Sequence, residues 1–212
     1  MKYKLVIFDL DGTLVDAYKA IEVSFNYAMR RLGYPKENSL SIKRAVGWGD
    51  ENLLKPFIKK SDLKKMVEIY REHHKKALLE FSHLYPDSRQ ILKYLKSKGL
   101  KLAIASNRPT VFTEILLKKF KIDRYFDFVL CADKLKSIKP NPEILEKIME
   151  RLKVAPQETI FIGDMAIDIL AGKDAKIKTI AILGGSTKEG ELRKLKPYRI
   201  ISKIGEILKI IK

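Results

Sequence analysis

Near the start of the chain stands Lys4-Leu5-Val6-Ile7-Phe8-Asp9-Leu10-Asp11-Gly12-Thr13, an apolar run that ends in an acidic turn. The apolar part is too short for a helix of ordinary length and too apolar for a surface loop, so it predicts a central strand of a parallel sheet. Ligands bind where such strands end. Asp9 and Asp11 repel each other there unless a cation or a proton separates them, which indicates a divalent metal and one carboxyl group that can be protonated.

Six apolar runs rich in β-branched residues recur along the chain, and helical patterns separate most of them. Strands that alternate with helices predict βαβ units. The sequence therefore predicts an α/β fold with a doubly wound, mainly parallel, Rossmann-like sheet. One helix is expected to start at a capping box, Asp87-Ser88-Arg89-Gln90, and to end at Gly99. The predicted strands cover residues 3–8, 100–105, 126–130, 159–162, 178–183 and 199–201.

The segment at 16–82 breaks this alternation because its patterns are helical throughout. One of its apolar stripes contains Tyr70 and Leu78 at helical spacing. A crossover between parallel strands needs far fewer residues, so we expect an inserted helical cap domain that stands over the acidic turn and can exclude water or select substrates. The remaining residues, 1–15 and 83–212, form the predicted Rossmann-like core domain.

The chain is strongly basic, with 43 lysine and arginine residues against 26 aspartate and glutamate residues and a formal net charge of +17. The lysines are spread over helical patterns, whereas nucleic-acid binders concentrate their charge in one patch or recognisable module. We therefore interpret the charge as solvated helix faces and expect no nucleic-acid partner. A positive field that attracts small phosphorylated anions fits the charge equally well.

Cysteine content and hydropathy indicate a soluble, cytoplasmic protein. Cys131 is the only cysteine, which excludes an intramolecular disulfide, and it is expected to be a small core residue. The chain begins with a strand pattern where a signal peptide would show a charged start and an apolar stretch. No apolar run reaches the length that spans a bilayer, so no membrane contact is expected.

Polar residues follow three of the predicted strands. Asp9 follows the first strand, Ser106 the second and Asp164 the fourth. The carboxyl ends of parallel strands lie along one edge of a sheet, so these side chains are expected to converge. Asp168, four residues beyond Asp164, stays near them if a helix begins there. Lys139 lies in a loop that two prolines constrain, just ahead of a helix start.

The haloacid dehalogenase superfamily has four ordered motifs, and this chain resembles it at Asp9-Leu10-Asp11-Gly12-Thr13, Ser106-Asn107, Lys139-Pro140 and Gly163-Asp164 with Asp168. The likeness extends almost from end to end. Tyr85-Pro86 also resembles the phosphoglycolate phosphatase-like branch, whose helical cap is inserted between the first and second motifs. The chain departs from these relatives at Ala175-Lys176, where they commonly have Ala-Gly, and its cap is compact.

The resemblance implies a Mg²⁺-dependent phosphatase that acts on a small phosphorylated metabolite such as 2-phosphoglycolate. Asp9 would be the nucleophile that forms an aspartyl-phosphate, and Asp11, crowded by the Asp9 charge, the general acid and base. Mg²⁺ would be held by Asp9, the Asp11 backbone carbonyl and Asp164, with Asp168 orienting a metal-bound water. Phosphate binding would be the task of Ser106, Asn107, Lys139, Gly12 and Thr13.

Other activities remain open. A sugar-phosphate mutase resembling β-phosphoglucomutase would use Asp9 and Asp11 and return the phosphate to the sugar, although Thr13 disfavours it by resemblance. A pyrophosphatase on the same scaffold is a further alternative. A dehalogenase would leave Asp11 no alkoxide to protonate, and a non-catalytic binding protein would have no turnover to lose in an Asp9→Asn variant. The protein is expected to be a monomer or a homodimer.

Three residues of the predicted cap have two interpretations each. Trp48 lies on a short loop between two glycines, and it either contacts the substrate or packs between cap helices. His73 and His74 lie on a lysine-rich helix, which favours a solvated face over a pair of ligands, because adjacent helix positions point apart.

Overall fold

A six-stranded sheet lies at the centre of the protein, for which the computed structural model describes residues 2–211. The strands in chain order are β1 (Leu5–Phe8), β2 (Val15–Asp16), β3 (His83–Leu84), β4 (Lys101–Ser106), β5 (Phe128–Cys131), β6 (Thr159–Gly163), β7 (Lys178–Ile182) and β8 (Arg199–Ile201). The sheet has the order β5-β4-β1-β6-β7-β8, with all neighbouring strands parallel. The predicted parallel sheet is therefore confirmed.

The α-helices in chain order are α1 (Tyr18–Arg31), α2 (Ser39–Ala45), α3 (Asp50–Leu54), α4 (Leu63–Phe81), α5 (Ser88–Ser97), α6 (Thr110–Lys119), α7 (Glu143–Leu152), α8 (Ala166–Asp174) and α9 (Glu189–Lys194). Helices α5 and α6 pack on one face of the sheet, and α7 packs on the other. Within residues 2–211, no helix is long and apolar enough to cross a bilayer.

Strand β1 shows how the sequence encodes a sheet that is covered on both faces. Val6 and Phe8 pack in one hydrophobic cluster with residues of α5 and α6, while Leu5 and Ile7 pack in a second cluster with residues of α7. Successive side chains of a strand point to opposite faces, so a strand buried on both faces has to be apolar throughout. Burial on both faces thus explains why the run Leu5–Phe8 contains no polar residue. The predicted doubly wound α/β class is confirmed.

Helices α1 to α4 form a helical segment, residues 18–81, between β2 and β3. This segment has its own hydrophobic cluster, which includes Phe25 of α1 and Tyr70 of α4. β2 and β3 pair in antiparallel fashion, with Val15 opposite Leu84, so the chain leaves and rejoins the sheet layer at adjacent points. The division into a core domain and a cap domain stays a prediction.

The start of α5 differs from the prediction. Asp87 precedes the helix with a φ of +68°, and its side chain makes no capping hydrogen bond. An N-cap residue normally has extended backbone, which brings its side-chain oxygen to the N–H groups of the first turn. The predicted capping box is therefore wrong, since the left-handed backbone of Asp87 does not supply that geometry. Gly99 does follow the helix end as predicted, with a φ of +77°. Cys131 is buried, as expected of a core residue.

Candidate active site

Three acidic side chains meet at the carboxyl edge of the sheet. Asp9 directly follows β1, Asp164 directly follows β6, and Asp168 lies in the first turn of α8. Each offers a carboxylate oxygen, these oxygens lie within 4.8 Å of one another, and all three residues are buried. Because β1 and β6 are hydrogen-bonded neighbours, the sheet brings together carboxylates that are distant in the sequence. We call Asp9, Asp164 and Asp168 the acidic cluster.

Asp164 occupies a space that two glycines leave open. A Cβ atom at Gly12 or at Gly185 would overlap the Asp164 carboxyl group, and Gly12 also has a φ of +80°, a conformation that favours glycine. The Tyr18 hydroxyl donates to Asp164 Oδ2 at 3.0 Å, and Thr13 Oγ1 donates to Oδ1 at 3.4 Å. The structure thus places Gly12 and Thr13, which the sequence assigned to phosphate binding, against Asp164 and outside the cavity lining described below.

Lys139 is the cation of the acidic cluster. Its side chain is almost fully buried, and Nζ donates to Asp9 Oδ1 at 2.8 Å, to Asp168 Oδ1 at 2.7 Å and to the Ala105 carbonyl at 2.9 Å. Asn107 holds the Lys139 backbone, because its Oδ1 accepts from the Lys139 N–H at 2.9 Å and its Nδ2 donates to the Lys139 carbonyl at 3.0 Å. The side-chain amide of Asn107 therefore contacts the loop of Lys139.

The acidic cluster carries more negative charge than Lys139 balances. Burial raises the pKa of Asp9 to about 7, with Lys139 opposing the shift and Asp168 adding to it. Burial also raises the pKa of Asp164 well above its usual range, and the charges of Asp9 and Asp168 add to that shift. Although burial alone would lower the pKa of Lys139, the charges of Asp168 and Asp9 raise it.

Three carboxylates against one ammonium leave two negative charges, which a divalent cation would neutralise. Carboxylate oxygens are the ligands that Mg²⁺ prefers. The charge and the donor set of the acidic cluster therefore fit this ion.

Asp11 follows Asp9 by two residues, and Arg108 holds one of its oxygens. Arg108 Nε donates to Asp11 Oδ2 at 2.6 Å, and both side chains are largely buried. Asp11 Oδ1 is buried and has no hydrogen-bond partner among residues 2–211. Sequence analysis did not assign Arg108 to the site, although its place directly after Ser106 and Asn107 at the end of β4 was a signal for it. Asp11 thus has one fixed oxygen and one without a partner.

His74 also belongs to this region, so the expectation of a solvated His74 is wrong. The side chain is fully buried, and Nε2 accepts from Arg108 Nη1 at 2.7 Å. Nδ1 lies 3.0 Å from Ser24 Oγ, and the ring stacks on Tyr70 with centroids 4.8 Å apart. Burial, and after it the charge of Arg108, lowers the pKa of His74 well below its usual value. The His74 ring is therefore neutral. A protonated ring would have hydrogen on both nitrogens, and Nε2 could not accept a hydrogen bond from Arg108.

A cavity of about 60 Å³ lies between the carboxyl edge of the sheet and the helical segment. One water molecule needs a cavity of roughly 10–15 Å³. A cavity of about 60 Å³ therefore has room for a small ligand. Its lining residues fall into two groups. The sheet side supplies Asp9, Asp11, Ser106, Asn107, Arg108, Lys139, Met165 and Ile167, and the helical segment supplies Ile21, Val46, Gly47, Gly49, Asp50, Leu53 and Tyr70.

Hydrogen bonds join the helical segment to loops that follow the strands of the six-stranded sheet. Asn107 Nδ2 donates to the Gly47 carbonyl at 2.8 Å, and Lys43 Nζ donates to the Gly184 carbonyl at 2.9 Å. Trp48, next to Gly47, is 42% exposed and does not line the cavity. The interpretation that Trp48 packs between helices is therefore wrong.

The haloacid dehalogenase-like hydrolase family model matches residues 6–182, a range that contains the acidic cluster, Asp11 and Lys139. The chain belongs to this family of hydrolases. Two curated relatives of this haloacid dehalogenase-like hydrolase are enzymes with different names. A phosphoglycolate phosphatase from Aquifex aeolicus is 32% identical over 185 residues, which cover 87% of each chain. A pyrophosphatase PpaX from Bacillus mycoides is 31% identical over 217 residues, covering 100% of this chain and 98% of the relative.

Solved structures agree with this family assignment. The crystal structure of a predicted phosphoglycolate phosphatase from Haemophilus somnus 129pt superposes on this haloacid dehalogenase-like hydrolase with a TM-score of 0.94 and 26% identity. The superposition covers 100% of this chain and 99% of the other. The predicted resemblance to the phosphoglycolate phosphatase-like branch is therefore confirmed.

Proposed function

We propose that this protein is a Mg²⁺-dependent phosphatase that hydrolyses a small phosphate monoester through an aspartyl-phosphate on Asp9. The observation that supports this most is the pair of carboxylates on the cavity wall. Lys139 holds Asp9, Arg108 holds Asp11, and one oxygen of Asp11 has no described partner. A fixed nucleophile beside a carboxyl group with a free oxygen is what double displacement at phosphorus requires.

Asp9 acts as the nucleophile in this proposal. Lys139 donates to Oδ1 of Asp9, and no described residue donates to Oδ2, which leaves that oxygen for attack on phosphorus. The bond from phosphorus to the leaving oxygen breaks as the bond to Asp9 forms. Water then displaces the phosphate from Asp9 in a second step. Lys139 orients Asp9 in both steps and keeps it close to the cavity.

Asp11 acts as the general acid and then as the general base. Its Oδ1 would give a proton to the leaving oxygen in the first displacement and take one from the attacking water in the second. Arg108 fixes the orientation of the carboxyl group by binding Oδ2. A carboxyl group that rotated freely would present its proton to the leaving oxygen only part of the time.

The acidic cluster would hold the metal ion. Asp9, Asp164 and the Asp11 backbone carbonyl are the proposed ligands, and bound Mg²⁺ would supply positive charge next to the phosphate oxygens. Asp168 is held by Lys139 and by the Met165 N–H at 2.9 Å, so it can orient a metal-bound water.

Ser106, in the cavity lining, would donate to the phosphate group. Lys139 would contribute its positive charge, since Asp9, Asp168 and the Ala105 carbonyl accept its three hydrogen bonds. Asn107 would contribute by holding Lys139 in place. Gly12 and Thr13 would contribute by supporting Asp164.

Two substrates stand out among small phosphorylated compounds. One relative is named a phosphoglycolate phosphatase and another a pyrophosphatase, and both match this chain over most of its length. The small cavity suits 2-phosphoglycolate and pyrophosphate, and the helical segment would act as the cap that excludes water. We propose 2-phosphoglycolate as the first candidate and pyrophosphate as the second.

A phosphate-release screen tests this function. Purified protein is incubated with 2-phosphoglycolate, pyrophosphate and other phosphorylated metabolites, with Mg²⁺ or with a chelator. We expect release only with Mg²⁺. Acid quenching during turnover of a ³²P-labelled substrate should trap labelled protein, which Asp9→Asn should abolish and Asp174→Asn, an exposed aspartate, should retain. Full activity in the chelator would contradict the metal site, and turnover by Asp9→Asn would contradict the nucleophile.

A further inference from the structure

Arg108 is a buried guanidinium group held by two different parts of the protein. Nε donates to Asp11 Oδ2 at 2.6 Å on the sheet side, and Nη1 donates to His74 Nε2 at 2.7 Å on α4. Only 7% of the Arg108 side chain is exposed. The guanidinium plane is therefore fixed by contacts on two sides.

The third nitrogen of Arg108 is free to bind a ligand. No residue in 2–211 accepts a hydrogen bond from Nη2, and Arg108 lines the cavity together with Ser106 and Lys139. The Arg108 backbone N–H donates to Ser106 Oγ at 3.2 Å, so Arg108 and the proposed phosphate-binding residue belong to one loop at the end of β4. Because the cavity measures only about 60 Å³, an anion bound at Nη2 would belong to the same small ligand as the phosphate group.

The unused hydrogen-bond donors of Arg108 suit an anion at this position. Asp50 also lines the cavity, but Arg71 Nε binds its Oδ2 at 2.7 Å and balances its charge. Lys139 is occupied by Asp9 and Asp168. Arg108 carries several N–H donors in a planar fork, of which Asp11 and His74 use one each, so donors remain for a carboxylate or phosphate.

We propose that Arg108 is the specificity-determining residue of this enzyme and binds a second anionic group on the substrate, a carboxylate or a second phosphate, close to the phosphate that is released. This inference rests on the proposed phosphatase function and narrows its substrate class. His74 is a positioning residue in this arrangement. Its neutral ring, oriented by Ser24 and Tyr70, supplies the acceptor on α4 that sets the plane of the guanidinium group.

The test compares two esters of equal length. One is 2-phosphoglycolate, and the other is 2-hydroxyethyl phosphate, in which a hydroxymethyl group replaces the carboxylate. We expect the unmodified protein to prefer 2-phosphoglycolate by kcat/KM. Arg108→Gln should reduce that preference by about 10- to 100-fold, mainly through KM, because a charge-assisted hydrogen bond is lost. Arg193→Gln is the control and should retain the preference, since Arg193 pairs with Glu189 on the surface, with 65% of its side chain exposed, and does not line the cavity.

Variants of His74 separate positioning from general damage. His74→Leu should reduce the preference because Arg108 Nη1 loses its acceptor, whereas His74→Gln, whose side-chain oxygen can replace Nε2, should restore it. Pyrophosphate serves as a third substrate. If Arg108→Gln lowers kcat/KM for 2-phosphoglycolate alone, the second anionic group that Arg108 binds is a carboxylate. If it lowers kcat/KM for pyrophosphate alone, that group is a phosphate.

Substrate binding to the Asp9→Asn protein needs no turnover. It therefore tests the role of Arg108 separately from the proposed phosphatase activity. Dissociation constants of both esters are measured by calorimetry on Asp9→Asn with and without Arg108→Gln. Equal effects of Arg108→Gln on the two esters would overturn the inference, while phosphate release by the unmodified protein would still support the phosphatase. No release from any ester would overturn the phosphatase, and the binding ratio would still decide whether Arg108 reads a second anion.

Discussion

Replacing Lys139 with methionine should destabilise the metal-free protein by about 3–5 kcal/mol at about pH 8. The ammonium group is buried and donates to Asp9, to Asp168 and to the Ala105 carbonyl. Methionine has a similar length but donates no hydrogen bond, so two buried carboxylates lose their counter-charge. Removing one partner of a buried ion pair has an effect of this size because the remaining charge stays out of water.

Urea unfolding in a chelator, followed by circular dichroism, measures this loss. For a chain of this length each kcal/mol shifts Tm by about 2–4 °C, so Tm should fall by about 6–20 °C. Lys147→Met is the matched control. Lys147 pairs with Glu143 at 2.6 Å on the surface, with 46% of its side chain exposed. Exposed pairs contribute about 1 kcal/mol or less, so this variant should unfold almost like the unmodified protein.

The destabilisation should shrink as the pH falls. Burial raises the pKa of Asp9 to about 7 even with Lys139 present. Because Lys139 opposes this shift, the loss of Lys139 would raise the pKa of Asp9 further. A raised pKa means that folded Asp9 binds a proton more tightly than the unfolded chain does. Above the pKa of Asp9 in the variant, the buried charge makes the variant less stable than the unmodified protein. This difference disappears as the pH falls through about 7, because folded Asp9 then holds a proton in both proteins. A Lys139→Met variant within about 1 kcal/mol of the unmodified protein at about pH 8 would refute this reasoning.

Three further predictions concern the metal and the loops around it. Mg²⁺ should raise Tm more at about pH 8 than at about pH 6. Burial raises the pKa values of Asp9 and Asp164, so both carboxyl groups must lose protons before they bind a cation. Equal increases in Tm at the two pH values, measured by thermal unfolding, would count against a carboxylate site. Gly185→Ala should remove most of this rise, because the new Cβ overlaps Asp164, whereas Gly190→Ala, whose Cβ meets no described atom within 4 Å, should retain it. Asn107→Ala should lower the free energy of unfolding by about 1–3 kcal/mol in urea, since both backbone groups of Lys139 lose a partner; an unchanged value would show that solvent replaces the amide.

The sheet could be predicted because its sequence signal is local. Strand β1 is apolar at every position, which is what burial on both faces demands, and the six predicted strands overlap those observed. The convergence of Asp9 and Asp164 could be predicted as well, because parallel strands end along one edge whatever the side-chain details. These statements depend on periodicity and topology alone.

The surroundings of Asp11 could not be predicted in the same way, because they depend on how two packed layers meet. Nothing in the spacing of α4 specifies that His74 reaches Arg108 across the cavity edge. A partial signal was nevertheless present. His74 stands four residues after Tyr70 and four before Leu78, on the buried stripe of α4, and the lysines beside it obscured that position. A polar residue on an apolar stripe usually has a buried partner.

Asp87 illustrates a second limit. Its residue type and spacing matched a capping box, yet a φ of +68° determines what its side chain can reach, and composition does not encode that angle. Tyr18 was missed for another reason. It lies in the first turn of α1, where an aromatic residue usually packs against apolar neighbours, and its hydroxyl contact with Asp164 becomes visible only in three dimensions.

The antiparallel pair β2–β3 has a consequence for how such enzymes diversify. Because the two connections lie side by side at Val15 and Leu84, the register of the six-stranded sheet is independent of the length and shape of what is inserted between them. A graft that exchanged residues 18–81 for the helices of a relative would keep Asp9, Asp11 and Arg108, but it would have to supply the contacts that Tyr18 makes with Asp164 and His74 makes with Arg108. Recombination in nature, or chimera construction in the laboratory, can thus exchange the helices over the cavity without altering the sheet, provided that these two contacts are kept.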